Sequence, residues 1–118
     1  MKKITIVDDD PDLRNLLQVF LRSNQYSVDV YQSGEDFLKR YTGTCDLFLI
    51  DINLGGISGT EICNHLKQQA ATKDVPVIII SAHPEIEKLA NEVCANDSLT
   101  KPFTQNSLLK LVLRYLPV

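Results

Sequence analysis

Three short and almost wholly apolar runs constrain this chain more than any other feature. They are Ile4-Thr5-Ile6-Val7, Leu47-Phe48-Leu49-Ile50 and Val77-Ile78-Ile79-Ile80. Runs of this length, bounded by turn-formers, read as strands buried on both faces of a parallel sheet. Each ends on a polar side chain: Asp8 and Asp9, Asp51, and Ser81. Lys101-Pro102 follows a fainter run, Ser98-Leu99-Thr100. In an open α/β sheet the crevice beyond the carboxyl ends of the strands holds the ligand. Parallel pairing would gather these acids, the hydroxyl and the lysine at one edge. Carboxylates brought that close repel one another unless a divalent cation sits among them.

The segments between the runs carry helical spacing. Asp10-Pro11 reads as an N-cap followed by proline at the first helical position, ahead of an apolar face of Leu13, Leu16, Leu17, Phe20 and Leu21. Val28 and Val30 alternate with polar residues, which suits a strand at a sheet edge. Ser33-Gly34-Glu35-Asp36 opens a short helix that turns Phe37, Leu38 and Tyr41 inward. A third helix carries Ile62, Leu66 and Ala70 after the glycine-rich stretch Gly55-Gly56-Ile57-Ser58-Gly59. The fourth strand is read as Val75–Ile80, and Pro84 opens a fourth helix with Ile86, Leu89, Ala90 and Val93 on one side. A last helix runs from about Thr104 to Leu116. Five such βα units predict one α/β domain over residues 1–118, a parallel sheet with helices on both faces. The pattern alone leaves the strand order open.

Composition removes several function classes. The net charge is −3 and the basic residues are scattered, so neither nucleic acid nor an anionic membrane has an electrostatic footprint here. No apolar segment approaches the roughly 20 residues of a membrane span. Met1-Lys2-Lys3 leads straight into a strand without the apolar stretch of a secretion signal. Cys45, Cys63 and Cys94 are far apart and lack zinc-site spacing, so they read as small hydrophobes in a reducing compartment, by default the cytoplasm.

Taken together, Val7-Asp8-Asp9, Asp51 with Gly59 eight residues on, Ser81-Ala82 and Lys101-Pro102-Phe103 resemble the receiver domain of two-component response regulators. The four elements keep that family's order and span essentially the whole chain. The resemblance implies a flavodoxin-like (βα)5 three-layer sandwich with strand order 2-1-3-4-5, an order for which receivers are a standing example. It also implies that Asp51 accepts a phosphoryl group from a histidine kinase or histidine phosphotransfer protein. Mg2+ would be held by Asp8, Asp9, Asp51 and the backbone carbonyl of Asn53. Lys101 would pair with Asp51 and then with a phosphoryl oxygen, and Ser81 would donate its hydroxyl to another. Ala82 would leave the phosphate accessible, while Asn53 and His83 flank the approach path and tune phosphate lifetime. Output would be altered affinity for a downstream protein, and any hydrolysis would be self-dephosphorylation rather than enzymatic turnover.

Alone, each of these residues has an ordinary reading, and the constellation lifts them above it. Asp10 goes the other way, because capping before Pro11 explains it without metal. His65 reads as a solvated helix residue, and neither histidine has the spacing of a metal ligand or triad base.

Four departures bear on how the signal leaves. Ser98 stands where receivers carry tyrosine or phenylalanine, Cys94 replaces a usual glycine, and Gly55 replaces a frequent proline, loosening its loop. The Ser81–Lys101 segment is short, which predicts a trimmed fourth helix or loop. On the last helix, Leu108, Leu111, Val112 and Tyr115 face the core. Leu109, Leu113 and Leu116 widen that stripe, either for packing on the fourth helix or as a partner or dimer surface. Two alternatives stand beside a self-contained receiver: a piece of a longer regulator or hybrid kinase, and a pseudo-receiver that binds partners without phosphorylation. Met1 just before the first strand and Pro117-Val118 just after the last helix favour the self-contained reading. A haloacid-dehalogenase-type phosphatase would need its nucleophile on the first strand and its acidic pair late, the reverse of the order here.

Overall fold

The computed structural model describes residues 1–93 and 95–117, so the readings placed on Cys94 and Val118 lie outside the described residues. Strands β1 (Lys3–Val7), β2 (Ser27–Tyr31), β3 (Leu47–Asp51), β4 (Val77–Ser81) and β5 (Asp97–Thr100) alternate with helices α1 (Pro11–Ser23), α2 (Gly34–Arg40), α3 (Gly59–Gln68), α4 (Ile86–Glu92) and α5 (Gln105–Tyr115). The sheet order is β2-β1-β3-β4-β5 and every pairing is parallel. This is the flavodoxin-like arrangement, with β2, the polar strand, at one edge.

Side chains of a strand point alternately to its two faces, so the apolar runs supply two cores at once. Ile4, Ile6, Leu47, Leu49, Ile78 and Ile80 meet Leu17 and Leu21 of α1 and Leu108 and Val112 of α5. Val7, Phe48, Ile50, Val77 and Ile79 meet Phe37 of α2, Ile62 and Leu66 of α3, and Ile86 and Ala90 of α4. Burial of each such side chain contributes about 1.5–3 kcal/mol, which makes the central strands the anchor of the molecule.

Local signals account for most element ends. Asp10 accepts from the N–H groups of Asp12 (3.0 Å) and Leu13 (3.4 Å) and caps α1. Ser33, Ser58 and Thr104 cap α2, α3 and α5 through their hydroxyls. Several expectations need correction. β4 starts at Val77, because the Val75 N–H is taken by Thr72 in a turn and Pro76 has none to give. α3 stops at Gln68, leaving Ala70 exposed in the turn that Thr72 and Lys73 close on Gln69. Pro84 and Glu85 form a turn rather than helix, and α4 has only seven residues with no side-chain cap. Leu16 and Leu38 face solvent, since each neighbours a fully committed residue, Leu17 or Phe37, about 100° round its helix. The surplus apolar positions of the last helix are largely covered: Leu116, the C-cap just past α5, is buried, Leu109 packs on the first core, and Leu113 is half-buried. Among the described residues, no helix is long and apolar enough to cross a membrane.

Candidate functional site: an acidic crevice closed by a lysine

Strand register decides where the polar ends fall. Val7 pairs with Ile50, Asp51 with Ile80, and Ser81 with Thr100. Asp8, Asp51, Ser81 and Lys101 therefore leave the sheet at one edge: Asp8 is level with Asp51, and Ser81 and Lys101 each lie one residue further along the next strand. Carboxylate oxygens of Asp8, Asp9 and Asp51 lie within 4.8 Å of one another. Asp8 and Asp51 are buried and Asp9 is exposed, so the cluster opens outward through Asp9.

Lys101 closes the crevice from the far side. Its ammonium lies 3.3 Å from Asp51 Oδ2 and 3.6 Å from Asp8 Oδ2. The other oxygen of each acid is held by backbone: the Asp10 N–H donates to Asp8 Oδ1 (2.9 Å) and the Asn53 N–H to Asp51 Oδ1 (3.3 Å). Asp8 Oδ2 is buried without a hydrogen-bond partner. Burial pushes the Asp8 carboxyl up from its ordinary value, against the opposing pull of the Asp10 N–H and Lys101. A buried carboxylate oxygen with no hydrogen bond, and only the Lys101 charge 3.6 Å away, is costly and suits a closer cation. Oxygen-only donors of this kind fit hard divalent ions.

Ser81 is fully buried, and its Oγ accepts from the His83 N–H (3.0 Å), which pins the start of the β4–α4 loop. The Glu85 N–H in turn donates to His83 Nδ1 (3.0 Å). Ala82 is exposed at the lip, while His65 sits on an exposed helix face away from these groups. Asp10 is engaged in capping and is not among the clustered acids. Cys45 and Cys63 are buried.

Two contacts escaped the sequence reading. The Arg14 guanidinium donates to the Asp8 carbonyl (2.8 Å), clamping the loop that carries the acid pair. Glu35 accepts from the Ile57 N–H (3.2 Å) across the loop after β3. An arginine one turn into the helix that follows the acid pair was the available signal for the first.

A profile of the response regulator receiver domain matches residues 4–113. ArlR, a response regulator of Staphylococcus saprophyticus, is 37% identical over 112 residues, covering 92% of this chain and 50% of the relative. The chain thus spans about half the length of that relative. Among solved structures, the response regulator TrrA of Thermotoga maritima, crystallised in complex with Mg2+–BeF, superposes with a TM-score of 0.87 at 31% identity, covering 98% of this chain and 99% of that one. The chemotaxis response regulator CheY4 of Vibrio cholerae gives a TM-score of 0.90 at 27% identity over 98% of each chain. Fold and crevice together define the CheY-like class of flavodoxin-like domains. Within that class, this chain belongs to the response regulator receiver domain family of two-component signalling.

Proposed function

We propose that this chain is a phospho-accepting switch. Asp51 takes a phosphoryl group from the phosphohistidine of a histidine kinase or histidine phosphotransfer protein, and the change alters affinity for a downstream protein. The observation that carries the reading is the buried Asp51 carboxylate at a strand end, with one oxygen fixed by the Asn53 N–H and the other beside Lys101. Phosphoryl transfer depends chiefly on positioning and charge neutralisation, and such a fixed carboxylate meets the first need. An Asp51 oxygen attacks phosphorus in line. The phosphorus–nitrogen bond breaks, its electron pair returns to the donor imidazole, and an acyl phosphate remains on Asp51.

The cation that suits the oxygen cluster is Mg2+, which Asp8, Asp9, Asp51 and the Asn53 carbonyl would hold and which would neutralise charge on the transferring oxygens. Lys101 exchanges its carboxylate partner for a phosphoryl oxygen. Ser81 turns its hydroxyl from the His83 N–H to another phosphoryl oxygen, which draws the β4–α4 loop inward. No metabolite is turned over, so self-phosphorylation and self-dephosphorylation at Asp51 are the only chemistry. The cytoplasm, where kinase donors of this type act, is the compartment the reading implies.

Intact mass after incubation with acetyl phosphate tests this, with and without Mg2+, for the native chain and Asp51→Asn. The expected result is a gain of one phosphoryl group that needs both the metal and Asp51. No gain together with no Mg2+ binding would favour a binding module that works without phosphorylation.

A further inference from the structure

The loop between β3 and α3 combines a rigid base with a slack middle. At its base, the N–H groups of Leu54 and Gly59 both donate to the Ile52 carbonyl (3.0 Å each), and a Cβ on Gly59 would collide with the Asp51 carbonyl. Its middle is Gly55-Gly56, with Gly56 at φ +92°. Two adjacent glycines lose more backbone freedom on ordering than any other pair.

The tether for that slack comes from a different element. Ile57 donates its N–H to Glu35 Oε1, in the first turn of α2. The fit around this bond is close. A Cβ on Gly34 would lie 2.9 Å from the Ile57 carbonyl oxygen and 3.0 Å from its Cβ, and one on Gly56 would collide with the Glu35 carboxylate. Glu35 is itself placed by the Ser33 cap, whose hydroxyl accepts from the Asp36 N–H (3.0 Å).

We infer that Glu35 is a positioning residue for the acid crevice: it latches the glycine loop to α2 and so holds Asn53 ready for the metal. The inference rests on the metal reading given above. Asp8 and Asp51 stand at strand ends fixed by the sheet, whereas Asn53 is exposed, is held at its amide by Asp51 Oδ1 (3.3 Å), and lies two residues before the glycine pair. Without the latch, ordering of that loop would have to accompany metal binding, and affinity would fall by the cost of that ordering.

Titration calorimetry of Mg2+ on the full chain, paired with hydrogen exchange of the Ile57 amide in metal-free protein, tests the latch. Glu35→Ala is expected to raise the Mg2+ Kd about three- to tenfold, the scale of one hydrogen bond, and to speed exchange at Ile57. Glu35→Gln keeps the acceptor oxygen without the charge and is expected to stay near native on both readouts. An unchanged Kd for Glu35→Ala, or an equal loss in Glu35→Gln, overturns the positioning role alone. Absence of saturable Mg2+ binding by the native chain overturns the metal reading and the positioning role together. Thermal melts of the variants separate either result from unfolding, since Glu35 is exposed and its replacement leaves the core intact.

Discussion

β3 and β4 are buried at every residue, whereas β5 beside them is half-buried at three positions and exposed at its last. The flanking helices differ in the same sense. α1 has thirteen residues and a doubly bonded Asp10 cap, while α4 has seven and no side-chain cap. Asp8, Asp51 and Ser81 hang from the well-packed strands, and Lys101 alone hangs from β5. A site built this way hangs its two buried carboxylates and its hydroxyl on the well-packed side of the sheet. Lys101 thus reaches Asp51 and Asp8 from the less packed side of the sheet.

The widest gap between the two regions is expected in core truncations. Ile79→Ala, at a fully buried position of β4, is expected to cost about 2–5 kcal/mol. Leu99→Ala, half-buried on β5, is expected to cost less than half as much. Urea denaturation of both variants measures the difference, and equal losses would break the comparison. Glycines sharpen it at the next scale. Gly59→Ala drives a Cβ into the Asp51 carbonyl and should cost about 1–3 kcal/mol. Gly55→Ala meets nothing within 4 Å and should stabilise by about 0.4–1 kcal/mol through the unfolded chain.

Asp8 shows what the rigid region stores. Its carboxyl, faced by Lys101, Asp51 and Asp9, is raised from the ordinary 3.8 chiefly by burial. A raised carboxyl binds its proton more tightly when folded. Its stabilising contribution is complete below pH 3.8 and is lost as pH rises through the folded value. Above that folded value the metal-free protein carries a buried charge at a cost. Asp8→Asn should raise stability there by about 0.5–2 kcal/mol, with the gain shrinking in acid. Mg2+ at about a hundred times its Kd should add about 2.7 kcal/mol to the native chain and little to the variant. Thermal melts across pH, with and without the metal, give both arms. Native and variant curves that stay parallel at every pH would remove the stored cost.

How much of this was legible in the sequence follows from what each feature depends on. Asp8, Asp9, Asp51 and Ser81 were legible because each ends an apolar run, and parallel register turns run ends into neighbours. The caps at Asp10, Ser33, Ser58 and Thr104 are local signals. Leu16 and Leu38 were misplaced because helical spacing gives the direction of a stripe but not its width, which depends on what packs opposite. The late start of α4 follows from the His83 carbonyl taking the Ile86 N–H, a bond that spacing alone does not reveal. Arg14 and Glu35 were missed for a related reason: both bond to backbone atoms that only the folded loops bring within reach.

The smallest effect bears on the cause of the thin packing. Ser98 lines an open groove of about 230 Å³ with Ala90, Ala95 and the polar Glu87, Asn91, Asn96 and Asp97, beside α4. Receivers carry an aromatic ring at this position, and the groove beside Ala90 and Ala95 leaves room for one. Ser98→Phe should bury part of a ring against α4 and stabilise the protein by about 0.5–1 kcal/mol, at roughly 25 cal/mol per Å² of apolar surface removed from water. Hydrogen exchange of the α4 amides should slow along with it, narrowing the contrast between β5 and β4. If stability and exchange stay at native levels, the missing ring is not what loosens this side. The short, uncapped α4 would then be the cause, and a cap at Glu85, such as Glu85→Ser, would tighten it where the ring did not.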